Sequence, residues 1–68
     1  MDILFLDANV IFSAAYRKDS SLNRLWDLPD VRCITSSYAA EEALRNLRLA
    51  RESRLGYLRA LLARMDVL

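Results

Sequence analysis

The chain has 68 residues, 54% of them hydrophobic, and its formal net charge at pH 7 is +1. A single cysteine and no histidine exclude an intrachain disulfide and a zinc site of the usual Cys/His kind. The near-neutral charge excludes a global positive field, so a nucleic-acid role would rest on local patches such as the six arginines between residues 45 and 64. Because so small a domain hides only about 60% of the surface of its unfolded chain, the apolar content predicts burial against more chain or a partner.

The first half of the chain predicts a strand followed by two helices. The apolar run at 3–6 is continuous rather than alternating, which favours a strand buried on both faces. Apolar residues then follow at helical spacing from 8 to 16. After a polar break, Ser20 or Ser21 can cap a short second helix, and Pro29 ends it because proline disfavours helical geometry in the preceding residue.

The second half predicts the same order again. A strand at 31–35 precedes a helix over about 38–49, for which Ser36 or Ser37 is a plausible N-cap. The apolar periodicity shifts phase near residues 50–53, and a further helix continues to Arg64. Residues 65–68 can begin a third strand. The order β-α-α-β-α-α-β predicts an α/β fold with a parallel sheet and helical crossovers.

This order also predicts an unfinished fold. Three parallel strands present two faces, and four helices must cover both of them. The final helix should leave its apolar face partly uncovered, and exposed patches and strand edges favour pairing. We therefore expect a homo-oligomer. No run reaches the length of a membrane span and no basic targeting region opens the chain, so we expect a cytoplasmic protein without a membrane partner. The predicted apolar face of the final helix comprises Leu55, Leu58, Leu61, Leu62 and Met65.

Asp7 follows the first predicted strand directly. Ligand sites in open α/β sheets form outside the carboxyl ends of the strands, and a carboxylate there is well placed to hold a hard cation. Aspartate is also a favoured N-cap, and Asp7 precedes a predicted helix. Position alone leaves these two interpretations about equal.

Two adjacent glutamates on the third predicted helix have different neighbours. Glu41 shares its side with Arg45, four residues on, as in an ordinary solvated ion pair. Glu42 has Tyr38 one turn before it and Asn46 one turn after it, and no base lies within reach along the helix. Glu42 therefore needs a partner from elsewhere or is a surface residue, and its neighbours alone favour the surface.

Two stretches in order resemble the PIN-domain nuclease family. Residues 3–14 (ILFLDANVIFSA) are similar to the family's opening, an apolar strand that ends in a metal-site aspartate. Residues 34–47 (ITSSYAAEEALRNL) are similar to its second motif, where a helix after a strand end presents a glutamate that matches Glu42. Residues 61–68 are similar to the helix and strand that follow. The resemblance identifies the chain, 1–68, as the N-terminal portion of one PIN-like domain, an incomplete three-layer α/β/α sandwich.

The resemblance implies an Mg²⁺- or Mn²⁺-dependent endoribonuclease, often the toxin of a toxin–antitoxin pair. Asp7 and Glu42 would be its metal ligands and catalytic carboxylates, since Mg²⁺ is usually held by one or two carboxylates plus substrate phosphate. Asn9, Ser13 and Asn46 would orient ligands or waters. For Asn9 and Ser13, local hydrogen bonding at a helix start is an equally good explanation.

The chain departs from the family in its later acids. The family carries further metal-site aspartates in its C-terminal half, and the one later aspartate here, Asp66, falls within the third predicted strand. Two hypotheses from different classes follow. The chain is part of a nuclease that acts on RNA, or it is a non-catalytic module that binds an antitoxin or a second copy of itself.

Overall fold

The computed structural model describes residues 2–68 and shows the α/β order that the sequence predicts. The short helix predicted after the polar break is a 3₁₀ helix, and a second 3₁₀ helix lies near the predicted phase shift at 50–53. No helix within residues 2–68 is long and apolar enough to cross a bilayer. In chain order the elements are β1 (Asp2–Phe5), α1 (Ala8–Tyr16), a 3₁₀ helix (Ser21–Asp27), β2 (Val31–Thr35), α2 (Ser37–Arg51), a 3₁₀ helix (Glu52–Arg54), α3 (Leu55–Ala63) and β3 (Asp66–Val67).

The three strands form one parallel sheet in the order β1-β2-β3. Phe5 pairs with Ile34, which pairs in turn with Asp66 on β3. This confirms that the first two strands are parallel neighbours. Both crossovers step in the same direction across the sheet, and right-handed crossovers then place their helices on the same side.

The two faces of the sheet differ in burial, which corrects the prediction that β1 is buried on both. Leu6, Cys33 and Thr35 lie on the face that the helices cover and are buried. Ile3 and Phe5 point to the other face and are 65% and 55% exposed. A continuous apolar run does not distinguish these cases. Within residues 2–68 the helices form one layer, and the third layer of an α/β/α sandwich is not seen there.

The core lies between the covered face of the sheet and the three helices. Buried alanines are numerous on α1 and α2, which are each other's main packing partners. The indole Nε1 of Trp26 donates to the carbonyl of Leu61 at 3.1 Å and ties the first 3₁₀ helix to α3. The buried alanines are Ala8, Ala14, Ala15, Ala39, Ala40 and Ala43.

Most of the apolar face of α3 is covered, and the partial exposure that the sequence predicts is limited to Leu62 and Met65. Leu58 and Leu61 are almost completely buried, and Leu55 is 9% exposed. Leu62 and Met65 are partly buried and pack against the same core. The reason is that α1, the first 3₁₀ helix, α2 and α3 all lie on one side of the sheet, so these four segments cover one face rather than two.

Candidate functional site

The carboxyl ends of β1 and β2 are joined by a buried side chain. The amide of Leu6 donates to the carbonyl of Ile34 at 2.9 Å. The hydroxyl of Thr35, whose residue is completely buried, donates to the carbonyl of Leu6 at 2.8 Å. Asp7 and Ser36, the residues that immediately follow these two strand ends, therefore leave the sheet side by side.

Asp7 is the N-cap of α1. Its backbone is extended, with φ −83° and ψ 173°, and its Oδ1 accepts a hydrogen bond from the amide of Val10 at 3.0 Å. The capping interpretation is thus confirmed, and the side chain is exposed. Its Oδ2 makes no hydrogen bond within residues 2–68, so capping does not occupy the whole carboxylate.

Glu42 lies in the second turn of α2, which Ser36 caps by accepting from the amide of Ala39 at 3.0 Å. It is half-buried, whereas Glu41 is exposed. In the part of the chain that the structure describes, no side-chain hydrogen bond or ion pair reaches Glu42. The ion pair expected between Glu41 and Arg45 is also not formed there, as solvated helix pairs are weak.

Two contacts show how α1 and α2 lie relative to each other. Asn9 and Asn46 line the same cavity, of about 410 Å³, together with Phe12, Leu49 and Ala50. At the far end of both helices, the guanidinium of Arg51, the last residue of α2, donates to the carbonyl of Tyr16, the last residue of α1, at 2.7 Å. The helices therefore run side by side in the same direction. The groove between them is called the α1–α2 groove below.

The α1–α2 groove brings some of the predicted site residues together and not others. Asn9 and Asn46 line it from the two helices, and Glu42 lies one helical turn from Asn46 towards the sheet edge that Asp7 follows. Ser13 lines an adjoining cavity of about 420 Å³ with Tyr16 and Arg17, and Phe12 contributes to both cavities. Ser13 is therefore further along α1 than the two carboxylates.

The donor set suits a hard cation but is small. Within residues 2–68 no group of three or more acidic, cysteine or histidine side chains is arranged to hold a metal ion. Asp7 and Glu42 offer carboxylate oxygens, the kind of ligand that Mg²⁺ prefers, and two are within its usual number. Asp66 does not join them because it forms an ion pair with Arg32, which lowers the pKa of the Asp66 carboxyl.

The far end of the α1–α2 groove joins two arginines of the basic stretch at 45–64 to two basic residues that the sequence does not connect with them. Arg17, Lys18, Arg51 and Arg54 line a cavity of about 340 Å³ with a single acid, Asp19. The polar break at residues 17–19 was the available signal. In the sequence it marks only a boundary between helices, because no local pattern shows that the end of α2 lies beside it.

Comparisons of the chain with family models, curated proteins and solved structures found no match. The function of this chain is therefore argued from its own residues and their arrangement.

Proposed function

We propose that this chain is the N-terminal portion of a PIN-type endoribonuclease domain in which Asp7 and Glu42 hold Mg²⁺ or Mn²⁺. The observation that supports the proposal best is Glu42. It is half-buried, has no hydrogen-bond or ion-pair partner within residues 2–68, and precedes Asn46 by one turn of α2, on the way to the sheet edge that Asp7 follows. Partial burial disfavours an unpaired carboxylate, and a cation near the sheet edge would relieve that cost.

The roles of the residues follow from their surroundings. A bound divalent cation supplies an activated water and neutralises charge on the attacked phosphate. Asp7 would present Oδ2, with its orientation fixed by the hydrogen bond from Val10 to Oδ1. The amides of Asn9 and Asn46 would hold Glu42 or a water by hydrogen bonds across the groove, as outer-shell groups do. Ser13 would orient a ligand or water in the adjoining cavity, further along α1 than Asp7 and Asn9.

Mn²⁺ binding tests the metal site, with a matched neighbour as the control. Asp7→Asn keeps the helix cap, because asparagine caps as well as aspartate does, but removes the charge. Glu42→Gln removes the second carboxylate. We expect weak Mn²⁺ binding by titration calorimetry or electron paramagnetic resonance, reduced at least severalfold in both variants and unchanged in Glu41→Gln. Equal losses in Glu41→Gln and Glu42→Gln would contradict the proposal, since that result indicates a general charge effect.

Cleavage is more demanding than binding. Two carboxylates leave most of the ion's coordination to water, and a loosely held ion loses much of the benefit of positioning. We therefore expect little or no Mn²⁺-dependent cleavage of a structured RNA by this 68-residue chain. Robust cleavage that both Asp7→Asn and Glu42→Gln abolish would show that two acids suffice or that another chain completes the site.

A second candidate function, a non-catalytic interaction module, is favoured by the open face of the sheet. Ile3 and Phe5 are more than half exposed there, and Ile34, their neighbour on β2, is only partly buried. Exposed apolar patches mark interaction sites, so this face would bind an antitoxin-like protein or a second copy. We expect self-association in sedimentation at high micromolar concentration and its loss in Phe5→Lys. A monodisperse monomer would count against pairing between copies.

A further inference from the structure

The far end of the α1–α2 groove holds four basic side chains from three segments. Arg17 and Lys18 follow α1, Arg51 ends α2, and Arg54 ends the second 3₁₀ helix. They surround one cavity of about 340 Å³, and Asp19 is the only acid in its lining. The candidate metal edge lies about 15 Å away, the length of the ten residues from Asp7 to Arg17 in helical geometry.

The charges of this cluster are only partly compensated. Asp19 pairs with Arg17 at 3.2 Å. In the described part of the chain, Lys18 and Arg54 have no carboxylate within ion-pair distance. The C-terminal ends of α1 and α2 each contribute about −0.5 charge, which favours cations there. Four cations, one carboxylate and two helix ends still leave about +2 around the cavity.

The cluster is also held in place before any ligand arrives. The side-chain amide of Asn23 donates to the carbonyls of Ala14, Arg17 and Ser20, each at 3.1 Å. Its Oδ1 accepts from the hydroxyl of Tyr57 on α3. The loop that carries Arg17 and Lys18 is thereby fixed to the end of α1 and to α3. A preorganised group of cations loses less entropy on binding an anion than a mobile group does.

The surroundings indicate what kind of anion fits. The adjoining cavity shares Arg17 and Asp19 with the cluster and is lined by Phe12 and Tyr16, whose rings lie 5.7 Å apart. The guanidinium of Arg51 lies over the Tyr16 ring at 5.4 Å. Cations that follow a backbone beside aromatic surface are the features that bind single strands of nucleic acid. A small free anion would use the cations but not the aromatic surface.

We propose that Arg17, Lys18, Arg51 and Arg54 form a binding site for backbone phosphates of single-stranded nucleic acid. The strand continues from this cluster along the α1–α2 groove, past Phe12 and Tyr16. The site needs no metal ion, so it does not depend on the function proposed for Asp7 and Glu42. Its test is performed in EDTA, where a failure of the metal site has no influence on the result.

The first arm of the test measures binding of a fluorescent single-stranded oligonucleotide by anisotropy across a salt series. Lys18→Gln/Arg54→Gln should weaken binding roughly tenfold, as expected for two unit charges about 5 Å from phosphate in water. The slope of log affinity against log salt should fall by about 1.4, because each lost phosphate contact contributes about 0.7. The control Arg45→Gln/Arg59→Gln makes the same charge change at exposed positions outside the cavity. Equal losses in both pairs would overturn the proposal.

The second arm uses a variant that should gain affinity, which misfolding cannot mimic. Asp19→Asn removes the acid from the cluster and frees Arg17, so it should bind the oligonucleotide roughly threefold more tightly, as expected for one unit charge about 7 Å from phosphate. Asp30→Asn changes the same charge at an exposed turn with φ 56°, a conformation that asparagine tolerates. No gain in Asp19→Asn, or an equal gain in both variants, would overturn the site.

The third arm distinguishes the source of the phosphate. A duplex of the same sequence should bind more weakly than the single strand, because its bases cannot reach the aromatic surface. Inorganic phosphate should compete only at much higher concentration than unlabelled oligonucleotide phosphate. Tighter binding of the duplex, or competition by inorganic phosphate at the same phosphate concentration, would contradict the assignment to a single strand.

Discussion

The two ends of the α1–α2 groove are held by different kinds of interaction. At the carboxylate end, parallel strand pairing and two N-caps from Asp7 and Ser36 set the geometry, with Thr35 as a single long-range side-chain tie. At the cationic end, Asn23 gathers carbonyls from a helix end and a loop and also reaches α3. Interactions between residues close in sequence form most of the carboxylate end, whereas contacts between distant segments form the cationic end.

The largest loss of stability should come from replacing Asn23, which holds the cationic end of the groove together. Asn23→Ala removes the side-chain amide that bridges the end of α1 and the following loop, and it leaves the Tyr57 hydroxyl without its acceptor. The free energy of unfolding should therefore fall by about 2 kcal/mol. Chemical denaturation measures this. Asn46→Ala removes the same side chain from an exposed helical position with no hydrogen bond in the described structure, and should change stability by less than about 0.5 kcal/mol. Similar losses in both would show that Asn23 does not hold this end.

The matching change at the carboxylate end is Thr35→Val. Valine keeps the shape of threonine but cannot donate to the carbonyl of Leu6, so unfolding should become easier by about 1.5 kcal/mol. Thr35→Ser keeps the donor and loses one methyl group, at a cost of about 0.8 kcal/mol. Chemical denaturation of both variants shows whether the hydrogen bond or the methyl group of Thr35 contributes more to stability. A larger loss for serine than for valine would show that packing, rather than the hydrogen bond, joins the two strand ends.

A smaller effect separates the two roles of Asp7. Asp7→Ala removes the N-cap of α1 and should lower the free energy of unfolding by about 1 kcal/mol, whereas Asp7→Asn should leave it nearly unchanged. Both variants should lose Mn²⁺ binding. Denaturation without metal and Mn²⁺ titration, performed on the same samples, make the comparison. Retained Mn²⁺ binding in Asp7→Asn would leave Asp7 with a capping role alone.

The smallest effect is the response of the cationic end to pH. The hydrogen bond and positive charge of Arg17 lower the pKa of Asp19. A lowered pKa in the folded state contributes stability above the unfolded value of about 3.9, and this is lost as pH falls through the folded pKa. Carboxyl NMR titration should show the Asp19 midpoint below its ordinary value and a rise in Arg17→Gln. An unchanged midpoint in that variant would exclude Arg17 as the cause.

The comparison between the two ends also explains how much the sequence could predict. Asp7 and Ser36 are N-caps of helices that begin at the next residue, so these boundaries are encoded by neighbouring residues. The predicted order of strands and helices and the predicted bounds of α1 and β2 accordingly agree with the structure. Asn23 acts on residues of another element, and Arg51 bonds to a residue 35 positions earlier. No local pattern carries such pairings, so the sequence shows Arg51 and Arg54 within a basic stretch but not that Arg17 and Lys18 lie beside them.

The covered and open faces of the sheet were mispredicted for a related reason. The run from Ile3 to Leu6 is apolar throughout, so its pattern cannot tell a strand that is covered on both sides from one covered on a single side. Which side the helices take depends on strand order, and β1-β2-β3 follows only from the pairing of β2 with both neighbours. The convergence of four helical segments on one face then buried Leu58 and Leu61.

The buried alanines of α1 and α2 have a consequence for whatever occupies the groove. Ala14, Ala15 and Ala43 have no exposed surface and no side-chain torsions that could change. Ile11 on α1 and Leu47 on α2 are also completely buried, so close packing restricts their rotamers. The separation of packed helices depends on the side chains between them. Rotamer changes of the more exposed Phe12 or Leu49 should therefore alter the lining of the groove more than its width.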